Sequence, residues 1–196
     1  MSARLFTCIL PPPEVVEDLD EFVAPRRLEP LRWTHPDTWH LTTSFMGRVA
    51  ERDLEALDAE LALAASATAP FDIRLAGAGC FSSVERTRQL WLGVQAGADE
   101  LAALATRARN AAVRAGVEVE GGRYVPHLTV ARANRPVEGT KWLRVLDAWP
   151  GRSWTVTELA LIESHMNEPG NRYQVITRLP LVGGQRYPAG ETKGTP

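Results

Sequence analysis

Residues 124–132 read YVPHLTVAR, and residues 39–45 read WHLTTSF. The tripeptide His-Leu-Thr occurs in both, at His40-Leu41-Thr42 and His127-Leu128-Thr129. Each copy sits in a run that reads as a β-strand. Side chains alternate across a strand, so the His and Thr of one copy share a face, about 6.5 Å apart along it. Each copy therefore pairs an imidazole with a hydroxyl. Two copies facing each other across a cleft would supply a general acid, a general base and two donors for an anion. That set suffices to open or close a phosphodiester without a metal.

Outward from these runs, the chain punctuates itself. Arg4–Leu10 reads as a buried strand. Pro13 opens a helix with Val16, Leu19, Phe22 and Val23 on one face, since proline is tolerated in a first helical turn. Leu31–Thr34 is a short strand, Pro36–Thr38 a turn and His40–Phe45 the next strand. Glu51–Ser66 has helical spacing at Leu54, Leu57, Leu61 and Ala65. Phe71–Ala76 and Gln89–Gln95 are strands, and Asp99–Ala115 is the strongest helix, stopped by Gly116. Tyr124–Ala131 is a strand and Thr140–Leu146 a weaker helix; Trp154–Ile162 and Tyr173–Leu179 close the pattern. After each His-Leu-Thr come a helix, a strand, a loop and a strand. This order predicts a duplicated unit whose two lobes bring the histidines to a shared groove. The expected organisation is one bilobal domain over residues 1–182 and a loose Gly- and Pro-rich tail over 183–196.

Composition narrows the function classes. The chain has 196 residues, of which 44% are hydrophobic, enough for a sizeable core. Its net charge of −2 gives no bulk attraction for nucleic acid, so any such substrate is gripped locally. The two cysteines, Cys8 and Cys80, read as buried thiols in a reducing compartment. No run approaches a membrane span and no leader pattern opens the chain, which reads as soluble and cytoplasmic. A zinc site is disfavoured, because His40 and His127 lack further ligands with suitable placement and His35 and His165 fall in polar, turn-like segments. A serine nucleophile elbow and a P-loop are both missing from the sequence.

The chemistry follows from the titration range of histidine. One imidazole can be neutral while another is charged near neutrality, which is the division that phosphodiester cleavage needs. Thr42 and Thr129 would donate to the non-bridging oxygens. Arg132 would supply charge, but it lies an odd number of residues from His127. A regular strand would turn it away, so its use requires a bulge, a strand end or a twist. Phe45 lies three residues past Thr42 and suits stacking on a nucleobase, worth about 1–3 kcal/mol, with a core role the competing reading. Trp33, Trp39 and Trp91 read as core residues, and Arg86 and Arg88 as a solvated loop.

These motif blocks resemble the two-histidine (2H) phosphoesterase superfamily with its HxTx signatures, and within it the RNA 2′,3′-cyclic phosphodiesterase branch, also called 2′-5′ RNA ligase. The resemblance runs from Arg4 to Leu181. RLFTCILPPPEV is similar to the family's opening strand and helix, LRWTHPDTWHLTTSFMG to its first motif block and GAGCFSS with QLWLGV to its middle strands. YVPHLTVAR is similar to the second block and ESHMNEPGNRYQVITRLPL to the closing hairpin. The resemblance implies an α+β fold of two lobes, with antiparallel sheets lining a central groove and helices outside. It implies a cofactor-free hydrolase on which His40 and His127 are catalytic, Thr42, Thr129 and Arg132 bind phosphate and Phe45 binds the base. The implied partners are RNA 3′ ends or nucleotides carrying a 2′,3′-cyclic phosphate, processed to a 2′-phosphate by a monomer. His127 is read as the base and His40 as the acid, with the roles exchangeable. Alternatives are another 2H activity, such as 2′-5′ oligonucleotide hydrolysis or 2′-5′ RNA ligation, and a non-catalytic RNA-end binding module. One departure lies in the first block. The family's usual apolar residue and lysine before the phenylalanine are here Thr43 and Ser44, which lowers the local positive charge.

Overall fold

The computed structural model describes residues 2–28, 30–165 and 173–183. Its strands are β1 (Ser2–Ile9), β2 (Arg32–Trp33), β3 (Leu41–Ala50), β4 (Phe71–Cys80), β5 (Thr87–Ala96), β6 (His127–Val137), β7 (Arg152–Val156), β8 (Glu158–Ser164) and β9 (Tyr173–Pro180). Its α-helices are α1 (Pro13–Val23), α2 (Leu54–Ser66), α3 (Ala98–Arg114) and α4 (Thr140–Asp147). Pro13 occupies the first turn of α1, which buries Val15, Leu19 and Val23 at helical spacing. Leu101, Leu104, Ala105, Ala108 and Ala112 form the buried stripe of α3. The helix expected from Glu51 opens with a 3-10 turn over Glu51–Asp53.

The described strands run β7-β4-β5-β6-β3-β1-β8-β9, with β2 added to β6, and each pairing is antiparallel. Four strands lie on each side of the β6–β3 junction. That junction has a single ladder step, Leu41 opposite Leu128. Both leucines are fully buried and join the main apolar core with the inner faces of the four helices. The fold is the α+β, two-lobed arrangement expected, and its halves meet at the middle residues of the two His-Leu-Thr triplets.

Three expectations need correcting. Trp154–Ile162 is not one strand. It breaks at Thr157, whose carbonyl accepts from Leu181 N–H at 2.8 Å. β7 then pairs with β4 in one half, while β8 pairs with β1 in the other. Thr157 and Glu158 are consecutive polar residues and set the buried Val156 and Leu159 three apart, so the strict alternation of one strand already fails at the break. Nor does a strand start at Tyr124. Residues 124–126 lead in as irregular backbone, and β6 begins at His127 and continues to Val137. The matching unit of the two halves also differs from the one expected. In the sheet, β1 stands to β3 as β5 stands to β6, so the equivalent units are β1-α1-β3-α2 and β5-α3-β6-α4. The predicted tail lies outside the described residues apart from Gly183.

Candidate active site

Antiparallel register fixes the centre of the site. Stepping outward from the Leu41–Leu128 pair sets His40 toward Thr129 and Thr42 toward His127. Each hydroxyl therefore faces the other half's imidazole. A cleft of about 270 Å³ is lined by Thr42 and Phe45 from β3 and His127 from β6, with Phe81, Glu120, Arg123 and Tyr124 beside them, while His40, Thr129 and Arg132 lie outside that lining.

Both motif strands carry a β-bulge immediately after the threonine. On β3, Thr42 pairs with Cys8 and Ser44 with Thr7, leaving Thr43 as the extra residue. On β6, Thr129 pairs with Trp91 and Ala131 with Leu90, leaving Val130 extra. A bulge inserts one residue and shifts the alternation by one. This resolves the odd spacing of Arg132. It returns to the face of His127 and Thr129, where it is exposed and its charge lowers the pKa of both histidines. The same shift returns Phe45 to the face of His40 and Thr42. Phe45 and Arg132 are thus equivalent positions of the two halves.

Each bulge has its own brace. Thr43 Oγ1 and Thr7 Oγ1 share a buried hydrogen bond of 2.7 Å. At β6, Thr34 Oγ1 donates to the carbonyls of Thr129 and Val130, at 3.0 and 2.9 Å. Trp39 Nε1 donates in turn to Thr34 Oγ1 at 2.7 Å. The first motif block therefore holds the second motif's bulge. Trp39 is a core residue, as expected, and Trp33 packs edge-on to Trp142.

The histidines are held alike. His40 Nδ1 lies 2.7 Å from the Thr38 carbonyl, and His127 Nδ1 lies 2.7 Å from the Val125 carbonyl. A carbonyl only accepts, so each Nδ1 carries the proton and Nε2 is left for chemistry. The His40 ring packs on Phe6 and Tyr173, with centroids 4.8 and 5.3 Å away. The His127 ring packs on Phe81 and Trp91, at 4.8 and 6.0 Å. Burial among these rings pushes His40 down to about 4; the Thr38 carbonyl opposes this, while charge on His127 and Arg132 adds to it. Burial also lowers His127, opposed by the Val125 carbonyl and reinforced by Arg132. Both shifts favour the neutral ring, and an anion bound between the two would favour protonation.

Several neighbours of the site carry no sequence signal that would single them out. Gln89 is one. Its Nε2 donates to Thr129 Oγ1 at 2.7 Å, which leaves that hydroxyl's own hydrogen to point elsewhere. Phe81 and Tyr173 are others, since they reach the histidines only through tertiary packing. Trp91, read as core, is half-buried on the site's face, with its ring lying across Gly79. A Cβ at Gly79 would stand 2.1 Å from that ring, so only glycine fits under it. Arg86 and Arg88 are exposed, but they do not share the loop expected there: Arg86 ends a 3-10 turn and Arg88 lies on β5, which starts at Thr87; His35 is exposed beside Asp37. His165 follows the end of β8 and lies near Glu163.

Residues 11–168 match the model of the 2′-5′ RNA ligase superfamily. The chain belongs to this family. Among curated proteins of the superfamily, it is 34% identical over 197 residues to an RNA 2′,3′-cyclic phosphodiesterase of Thermus thermophilus, covering 92% of this chain and 91% of that one. It is 30% identical to a protein of the same name from Geobacillus stearothermophilus, of which it spans 51%, and 29% identical to one from Aquifex aeolicus, of which it spans 82%. The fold superposes on the crystal structure of E. coli LigT complexed with 3′-AMP with a TM-score of 0.72 at 28% identity, covering 92% of this chain and 99% of that one. A Thermus thermophilus crystal structure superposes at 0.74 and 26% identity, with the same coverage.

Proposed function

We propose that this superfamily member hydrolyses 2′,3′-cyclic phosphates at RNA 3′ ends to 2′-phosphates, with His40 and His127 as a metal-independent acid/base pair. The observation that carries the reading is the matched pair of Nδ1–carbonyl contacts, which give both rings one tautomer and one free nitrogen. One Nε2 takes a proton from water as its oxygen bonds to phosphorus. The P–O3′ bond breaks, and the other imidazolium gives its proton to the departing 3′ oxygen. We assign His127 as base and His40 as acid for hydrolysis; in the ligation direction the roles exchange. Thr42, Thr129 and Arg132 donate to the non-bridging oxygens, and Phe45 takes the base.

The relatives' names support the substrate class. A monomer is supported because one chain supplies both histidines. Residues 1–182 act as one bilobal unit in this reading, since each threonine serves the other half's imidazole. A reducing cytoplasm suits the unpaired Cys8 and Cys80; among the described residues no helix is long and apolar enough to cross a membrane. The test is turnover of a nucleoside 2′,3′-cyclic phosphate in excess chelator, with product identification. We expect a 2′-phosphate, and a loss of about 10²–10⁴-fold in His40→Ala and in His127→Ala. Near wild-type turnover in either variant, a 3′-phosphate product, or binding without turnover contradicts the reading.

A further inference from the structure

Arg32 has no place in the chemistry above, yet the sheet sets it beside Arg132. The β2–β6 register pairs Arg32 with Arg132 and Trp33 with Ala131. Directly opposed residues of an antiparallel pair share a face, so Arg32 stands on the groove face while Trp33 turns into the core. The β5–β6 register puts Gln89 on the other flank of Arg132. A row Gln89–Arg132–Arg32 thus crosses three strands, with neighbouring strands about 4.8 Å apart. Like charges directly opposite each other destabilise a sheet. Here both guanidiniums are exposed, and among the described residues neither pairs with a carboxylate. Among the described residues, the one polar partner of the Arg32 side chain is the neutral Asn134 side chain, with Nη1 3.4 Å from Oδ1. An uncompensated arginine pair at the end of an anion-binding groove is stabilised by a second anion.

The row also lies where the rest of an RNA would run. Phe45 and Arg132 are equivalent positions on opposite strands, so they flank the central His–Thr set on opposite sides. A terminal ribose holding its cyclic phosphate at the centre and its base on Phe45 sends its 5′ oxygen away from Phe45. The charge of Arg132 lowers the pKa of both histidines, and the β2–β6 register sets Arg32 one strand over from Arg132.

We infer that Arg32 binds the internucleotide phosphate 5′ to the terminal nucleotide, so that the site favours RNA ends over mononucleotides. This rests on the proposed cyclic-phosphate chemistry and adds a second phosphate subsite to it. The test compares kcat/KM for a dinucleotide ending in a 2′,3′-cyclic phosphate with that for the matching mononucleotide. We expect Arg32→Gln to lower the dinucleotide-to-mononucleotide ratio about tenfold, the weight of one charge-assisted contact. A methylphosphonate at the internucleotide linkage should impose the same loss on the wild type and no further loss on Arg32→Gln. A ratio unmoved by Arg32→Gln, or a methylphosphonate penalty that persists in that variant, overturns the inference. Wild-type protein that turns over neither substrate overturns the underlying activity instead.

Discussion

The two halves of the groove carry the same imidazole–hydroxyl pair on the same bulged strand, but they differ in what stands three residues past the threonine. In the β3 half that position is Phe45, opposite Phe6 with centroids 6.3 Å apart and planes 19° from parallel. Arg4 lies over the Phe45 ring at 5.3 Å. The floor beneath is apolar, built from Phe6, Cys8, Ala160 and Ile162. In the β6 half the equivalent position is Arg132, opposite Gln89, and Gln89 orients the Thr129 hydroxyl. Duplication thus conserves the imidazole–hydroxyl pair, while the flanking row has diverged into an aromatic side and a cationic side. A cyclic nucleotide needs the same division, with a flat base on one side and an anion on the other.

The sharpest way to break that contrast is to exchange roles at its two ends. Arg132→Met removes charge where it develops in the transition state and should lower kcat by about 10²–10³-fold for every cyclic phosphate. Phe45→Leu should instead raise KM, by the equivalent of about 1–3 kcal/mol, and only for substrates that carry a base. Steady-state kinetics on a nucleoside cyclic phosphate and on a base-free ribose cyclic phosphate separate the two. Equal effects of both variants on both substrates would show that the halves do not divide recognition.

Acid titration compares the histidines. His40 has a folded pKa of about 4, below its unfolded value near 6.5, so the unfolded chain takes the proton first. Its contribution is full above pH 6.5 and is lost as pH falls toward 4, by roughly 3 kcal/mol. His127 shifts in the same direction. Chemical denaturation across pH 7 to 4 should therefore flatten in His40→Ala. An unchanged slope would mean that His40 is not held neutral. The smallest expected effect is structural. Gly79→Ala places a methyl against Trp91 and should destabilise by about 1–3 kcal/mol, read as a shift in denaturant midpoint. It should also lower turnover through the His127 cradle, since Trp91 packs on the His127 ring.

The parts of this site legible in the sequence are those with a local period. His40, Thr42, His127 and Thr129 follow from strand alternation alone, and the helices from their apolar spacing. Arg132 and Phe45 needed the bulges, and neither Thr43 nor Val130 announces one, because no glycine or proline marks the position. Gln89 reads as an ordinary strand residue until β5 is registered against β6. The break at Thr157 decides which half β8 joins, and it depends on a bond to Leu181, distant in the chain. What periodicity cannot carry is contact between elements, and the aromatic cradles of both histidines are of that kind.

The central claim is that two equivalent histidines divide acid and base work. Its most direct test measures kcat for His40→Ala and His127→Ala on two phosphodiesters, a nucleoside 2′,3′-cyclic phosphate and bis(p-nitrophenyl) phosphate. A nitrophenolate leaves without a proton, so the variant lacking the acid should recover most of its activity on the second substrate. The variant lacking the base should not recover. With His40 as acid, recovery belongs to His40→Ala. Equal losses on both substrates in both variants would contradict the division of labour.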